Sequence, residues 1–165
     1  MRYTLDKDLF AWGDDYLIRD QNGRDVFFVD GRGITLRNHL SFQNMQGEEL
    51  AAIRQVAFSW GTQHELIRGG ELVAKITENS FTDGSCQFCV DIPGPNDPIA
   101  TGDFYNHEYQ FRVGDETVAQ VSRRFSPSQD SQGARGFGIE VSGAADPVLL
   151  LAAATIIDLA ANRPE

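Results

Sequence analysis

Lysine is nearly missing from this chain. Lys7 and Lys75 are the two it has, and 24 acidic residues face 14 basic ones for a formal charge of -10. Nucleic acids and anionic membranes are held by clustered Lys and Arg that neutralise phosphates, so the balance argues against both as partners and disfavours peripheral membrane contact. Cysteine is equally scarce. Cys86 and Cys89 are too few for a disulfide framework, and no apolar segment of the secretory kind follows Met1-Arg2-Tyr3-Thr4-Leu5-Asp6-Lys7-Asp8, so the expected location is the cytoplasm. Long hydrophobic runs are lacking too. Val148 to Ile157 gives ten uncharged residues before Asp158 interrupts, against the roughly 20 that cross a bilayer.

What is present is short β-type segments separated by turns. Tyr16-Leu17-Ile18-Arg19 and Val26-Phe27-Phe28-Val29-Asp30 flank Asn22-Gly23, which supplies the positive φ of a tight hairpin. The layout returns in Glu65 to Arg68 with Glu71 to Thr77 around Gly69-Gly70, and in Tyr109 to Val113 with Thr117 to Ser122 around Gly114. Period-2 alternation predicts Leu72, Ala74 and Ile76 on one face and Val73, Lys75 and Thr77 on the other. Ile34 to Leu36 and Leu40 to Phe42 read as one or two further strands. Leu50 to Val56 competes between helix and strand, and its neighbours favour strand. Phe10-Ala11-Trp12-Gly13 and Phe58-Ser59-Trp60-Gly61 form an internal echo, too few copies for a propeller or solenoid. The prolines at 93, 95 and 98 mark an exposed connection, since proline removes ladder donors. The polar stretch from Ser126 to Gly133 reads as a second loop, and Phe137 to Val141 as the last strand.

Then comes a helix. Asp146 is an N-cap, Pro147 suits the first helical position, and Val148, Leu149, Leu150, Leu151, Ile156, Ile157 and Leu159 fall on every side of it. Such a helix needs apolar contacts all round. Ten to twelve strands wrapped around it meet that need and remove the sheet edges, so the expected fold is mainly β: a closed antiparallel barrel of about twelve strands (residues 3–142) enclosing one hydrophobic C-terminal helix (146–162), as one domain over 1–165. The helix would be the core, and Asp158 is expected at the barrel mouth, in water or paired with an arginine, because a carboxylate is disfavoured at a helix C-terminus.

Leu9-Phe10-Ala11-Trp12-Gly13-Asp14-Asp15-Tyr16, Asp30-Gly31, Met45-Gln46-Gly47, Asp91-Ile92-Pro93-Gly94-Pro95-Asn96-Asp97, His107-Glu108-Tyr109, Val118 to Ser122 and Ile156 to Leu159 together resemble the LURP-one-related family, whose fold is similar to the Tubby C-terminal domain and to phospholipid scramblases. The resemblance implies the same threaded barrel. It implies a non-enzymatic binding or scaffold module with a lipid or a protein as partner, the alternative being a membrane-associated, phospholipid-binding or scramblase-like protein. The chain departs from the phosphoinositide-binding relatives, since Arg123-Arg124 is its one adjacent basic pair, followed by Phe125-Ser126-Pro127-Ser128 where aromatics are expected.

No catalytic residue and no cofactor is assigned from the sequence. Cys86 and Cys89 have CxxC spacing without a second pair, and on a strand residues three apart face opposite ways, so they read as small strand residues. Asp91, Asp97 and Asp103, with Asn96, are candidate calcium ligands, although the spacing fits no EF-hand loop and a solvated connection is the simpler reading. Asp14-Asp15 reads as a turn before it reads as an acid/base pair. His39, His64 and His107 lie in no nucleophile or metal motif. His107-Glu108 pairs an imidazole with a carboxylate, but a strand would put them on opposite faces.

Overall fold

The computed structural model describes residues 1–7, 15–31, 39–58, 61–126 and 136–162. Strands β1 (Arg2–Lys7), β2 (Tyr16–Asp20), β3 (Asp25–Asp30), β4 (His39–Asn44), β5 (Glu49–Phe58) and β6 (Gly61–Arg68) make the first half. The second half is β7 (Glu71–Ser80), β8 (Cys86–Asp91), β9 (Ile99–Asp103), β10 (Glu108–Val113), β11 (Glu116–Ser122) and β12 (Gly136–Val141), with a 3-10 turn at Arg123–Phe125 and the helix α1 (Pro147–Ala161). Each strand pairs antiparallel with the next, and β1 pairs with β12, so the described strands form one closed barrel. The run from Leu50 to Val56 lies within strand β5. Ile34 to Leu36, Phe10 to Gly13, Asp14, Ser59-Trp60 and the loop from Pro127 to Gly133 fall outside the described residues.

Four hairpins share one device. In β2–β3, β4–β5, β6–β7 and β10–β11 the register slips by one residue close to the turn, leaving Val26, Leu50, Val73 and Val118 as the extra residues. Each extra residue is apolar and partly packed on the core. Bulges of this kind increase local twist and bend the strand, and all four sit at the same end of the barrel, where the sheet must coil tightly to close. The bulge at Val73 breaks the expected alternation in β7: Ala74 and Ile76 face inward, while Leu72 is 46% exposed.

α1 enters at that bulged end. Asp146 Oδ1 accepts from the backbone N–H of Val148 (3.1 Å) and Leu149 (3.4 Å), and its Oδ2 accepts from Arg68 at 2.7 Å, which ties the cap to the barrel wall. Fifteen helical residues at ~1.5 Å rise extend about 22 Å through the barrel. Leu150, Leu151, Ala152, Ala153, Ala154, Ile156 and Ile157 are buried, as is Val148, whereas Leu149 and Leu159 are half-buried. Leu5, Ile18, Phe42, Ile53, Leu66 and Phe111 meet them from the wall. Thr155, a polar residue in the middle of this interior, donates its hydroxyl to Leu151 O at 2.9 Å and so leaves no unsatisfied donor. No helix of the described residues is long and apolar enough to cross a membrane.

Candidate functional site

At the far end of the barrel α1 finishes against a buried polar cluster. Asp158, 6% exposed, accepts hydrogen bonds from the Tyr16 hydroxyl, from His107 Nε2 at 2.6 Å and from Asn162 Nδ2 at 2.8 Å. On the other side of the imidazole, Arg123 Nε donates to His107 Nδ1 at 3.3 Å. An acceptor at Nδ1 leaves the ring proton on Nε2, where it donates to the carboxylate. His107 also stacks on Phe137 with ring centroids 4.5 Å apart. Burial raises the Asp158 pKa, yet the hydrogen bonds from His107 and Tyr16 and the charge of Lys7 outweigh it and leave the carboxyl below its ordinary value.

Asp158 therefore lies neither in water nor against an arginine. It sits at the mouth, as the helix geometry requires, but inward of it, and an imidazole and a phenol satisfy it. The strand placement of His107-Glu108 also changes. His107 occupies a turn with φ 56, the left-handed region, which aims its ring inward, while Glu108 opens β10 and accepts from the Ser122 hydroxyl at 2.9 Å. Periodicity alone does not reveal this, because a left-handed non-glycine residue is set by its partners rather than by its neighbours.

Clefts open on the outside, two of them lined by described residues. One, of about 950 Å³, runs along β1, β2, β11 and β12 and is lined by Arg2, Thr4, Asp6, Arg19, Gln120 and Phe125. Several of its charges are paired: Arg2 with Glu140 at 2.8 Å, Arg19 with Asp6 at 2.6 Å and with Asp25 at 2.9 Å. The Arg2 guanidinium lies 4.3 Å over the Phe125 ring, and the other side of Phe125 covers Gly138, where a Cβ would come within 2.3 Å of Phe125 Cβ. The second cleft, of about 660 Å³, opens beside the end of α1 between the β7–β8 and β9–β10 turns.

Residues 1–158 match the family described as LURP-one-related. The chain belongs to this family. Another protein similar to it is the uncharacterised YxjI of Bacillus subtilis (strain 168), 25% identical over 157 residues, which are 95% of this chain and 91% of that protein. The X-ray structure of a protein from Arabidopsis thaliana shares the fold with a TM-score of 0.70 at 17% identity, covering 98% of this chain and 92% of that one. The LURP-one-related barrel anticipated from the sequence is thus the one observed.

The remaining candidates in this LURP-one-related chain scatter over the barrel. Cys86 and Cys89 are free thiols on opposite faces of β8, both partly buried. Burial raises the pKa of each, helped by Glu78 at Cys86 and by Asp97 and Asp91 at Cys89. Asp91 ends β8 opposite Lys75, Asp97 accepts from Ile92 N at 3.0 Å, and Asp103 lies at the other end of β9, bonded to Asn106 at 2.7 Å. These three carboxylates, with Asn96, are not gathered at one point, and among the described residues no group of three or more His, Cys, Asp or Glu could hold a metal ion. Asp15 is buried and accepts from Gly31 N at 2.7 Å, which makes it a tie between β2 and the end of β3. His39 lies 3.7 Å from Glu49 on the outer wall, and His64 is buried on β6. Of the Arg123-Arg124 pair, Arg123 belongs to the mouth cluster and Arg124 lines the larger cleft.

Proposed function

We propose that this LURP-one-related barrel is a non-enzymatic binding module of the cytoplasm whose ligand, a small molecule, a lipid or a protein, is held outside the barrel. One observation carries the reading: α1 fills the interior, with Leu151, Ala152, Ala153, Ala154, Ile156 and Ile157 fully buried, so binding falls to the outer wall and the barrel ends. The mouth cluster supports it. A general base must have a nitrogen available for a substrate proton, whereas both nitrogens of His107 are engaged, one by Asp158 and one by Arg123. The free, oppositely facing thiols suit a reducing compartment.

Native mass spectrometry of protein purified from its own host, followed by hydrogen exchange with and without the retained ligand, tests the proposal. Protection is expected in the segments that line the outer clefts, 1–6 and 117–126 or 78–88 and 101–105. Turnover of a metabolite that His107→Ala abolishes, with the fold intact, would overturn it.

A further inference from the structure

The smaller cleft has a chemistry of its own. Among the described residues the exposed aromatic rings are Phe81, 49% exposed, and Tyr105, 67% exposed, and both line this one cavity. They come from different turns. Phe81 opens the β7–β8 turn, closed by Phe81 N to Ser85 O at 2.8 Å, and Tyr105 sits in the β9–β10 turn, closed by His107 N to Phe104 O at 3.3 Å. The buried Phe88 and Phe104 rings, packed edge to face at 4.9 Å, form the floor. Two large rings left in water, where the other described aromatic rings of known burial are buried or half-buried, are a cost unless something covers them.

Three sources of negative potential converge on the same cavity. Glu78 continues the inward-facing series of Ala74 and Ile76 past the end of the barrel interior, and its charge is felt at Cys86 on the cavity wall. Asp103, held by the backbone N–H of Asn106 at 3.0 Å and its amide at 2.7 Å, is kept ionised by those bonds. Ala161, the last residue of α1, also lines the cavity, so the negative end of the helix dipole points there, with no basic residue in the last turn to offset it. No Lys or Arg is among the described lining residues. Arg123, whose charge reaches Asp103, is held by His107 at 3.3 Å.

Aromatic faces beside carboxylates select one kind of guest. The ring quadrupole attracts cations, and methylated ammonium ions, being weakly hydrated, give up less solvation to enter such a site than Na⁺ does. We infer that the cavity between the β7–β8 and β9–β10 turns binds a small soluble methylated ammonium compound, with Phe81 and Tyr105 on its methyl groups and Glu78 and Asp103 as counter-charges. The inference rests on the binding-module reading and names its site and ligand class.

Isothermal titration of the full chain with choline and with tetramethylammonium tests it, run beside 3,3-dimethylbutan-1-ol, the neutral carbon analogue of choline. Both cations should bind saturably and the neutral analogue at least tenfold more weakly. Tyr105→Leu and Phe81→Leu should each weaken choline about two- to fivefold, the range expected of an exposed cation–π contact, and Glu78→Gln should do likewise while flattening the salt dependence. These side chains are exposed, so an unchanged melting temperature shows that each variant is folded. Equal affinity for the neutral analogue, unaltered affinity in both aromatic variants, or no binding of either cation overturns the site. Capture by phosphatidylcholine vesicles without binding of free choline overturns the soluble ligand in favour of a lipid headgroup. Failure of this titration alongside a retained ligand protecting residues 1–6 and 117–126 would remove the cation site and leave the binding module standing.

Discussion

Asp158 and His107 meet at 2.6 Å, a carboxylate on the last turn of the threaded helix and an imidazole on a left-handed turn of the wall. The pair fixes how far α1 travels through the barrel, because the Tyr16 hydroxyl on β2 and Asn162 complete the same cluster. Asp158→Ala strands these partners in a buried place. Leaving a buried polar group without its partner costs about 1–3 kcal/mol, and urea denaturation should show a loss of at least that size, with Asp158→Asn in between.

The same carboxylate gives acid sensitivity. Its folded pKa lies below the ordinary value, so its contribution is present above the unfolded pKa of about 3.9 and is lost as the pH falls through the lower folded value. Between about pH 5 and pH 2 the stability of the native chain should therefore fall more steeply than that of Asp158→Asn. Parallel slopes in urea titrations across that window would refute the assignment.

Phe125 is wedged between Gly138 and the Arg2 guanidinium. A methyl group at position 138 would stand 2.3 Å from Phe125 Cβ, so Gly138→Ala must displace the 3-10 turn. A destabilisation of about 1–3 kcal/mol is expected, and because the clash is with Phe125 Cβ and backbone, which alanine keeps, Phe125→Gly rather than Phe125→Ala should relieve part of it. Thermal melts of both single variants and the double variant read the coupling.

The bulge in β7 separates two neighbours that alternation would treat alike. Leu72→Asn should change stability by less than about 0.5 kcal/mol, as exposed substitutions do. Ala74→Asn puts an amide into a fully enclosed wall position and should cost about 2 kcal/mol or more. A large effect at Leu72 would place it back on the inner face.

Deleting the residues after Gly143 removes α1 and leaves a shell lined by Leu5, Ile18, Phe42, Ile53, Leu66 and Phe111 with nothing between them. The truncated chain should lose its near-ultraviolet circular dichroism and its cooperative melt. A sharp transition in differential scanning calorimetry would show that the strands find another core.

The barrel is legible in the sequence because its two strongest signals are local: turn residues between alternating segments, and a helix apolar on all sides. The bulges are less so, yet they leave a trace. Val26-Phe27, Leu50-Ala51, Val73-Ala74 and Val118-Ala119 each place two apolar residues side by side as a strand leaves its turn, a break in alternation repeated four times. The mouth cluster cannot be read this way. Tyr16, His107, Arg123 and Asp158 lie far apart in the chain, and their meeting depends on barrel register and on a positive φ at His107. The aromatic cavity is hidden for the same reason, since Phe81 and Tyr105 become neighbours only when β7 to β10 lie side by side.

Closure of the barrel by β1 on β12 also dictates the order of events during synthesis. Arg2 pairs with Glu140, and α1 begins only after β12 ends. A chain emerging from a ribosome thus displays an open, curling sheet with its apolar face in water until α1 has followed β12 out. Contacts so distant in sequence make folding slow. The nascent protein should then depend on chaperones that shield an unfinished barrel, and a stop codon just before Asp146 would yield a chain that keeps every described strand yet has no core.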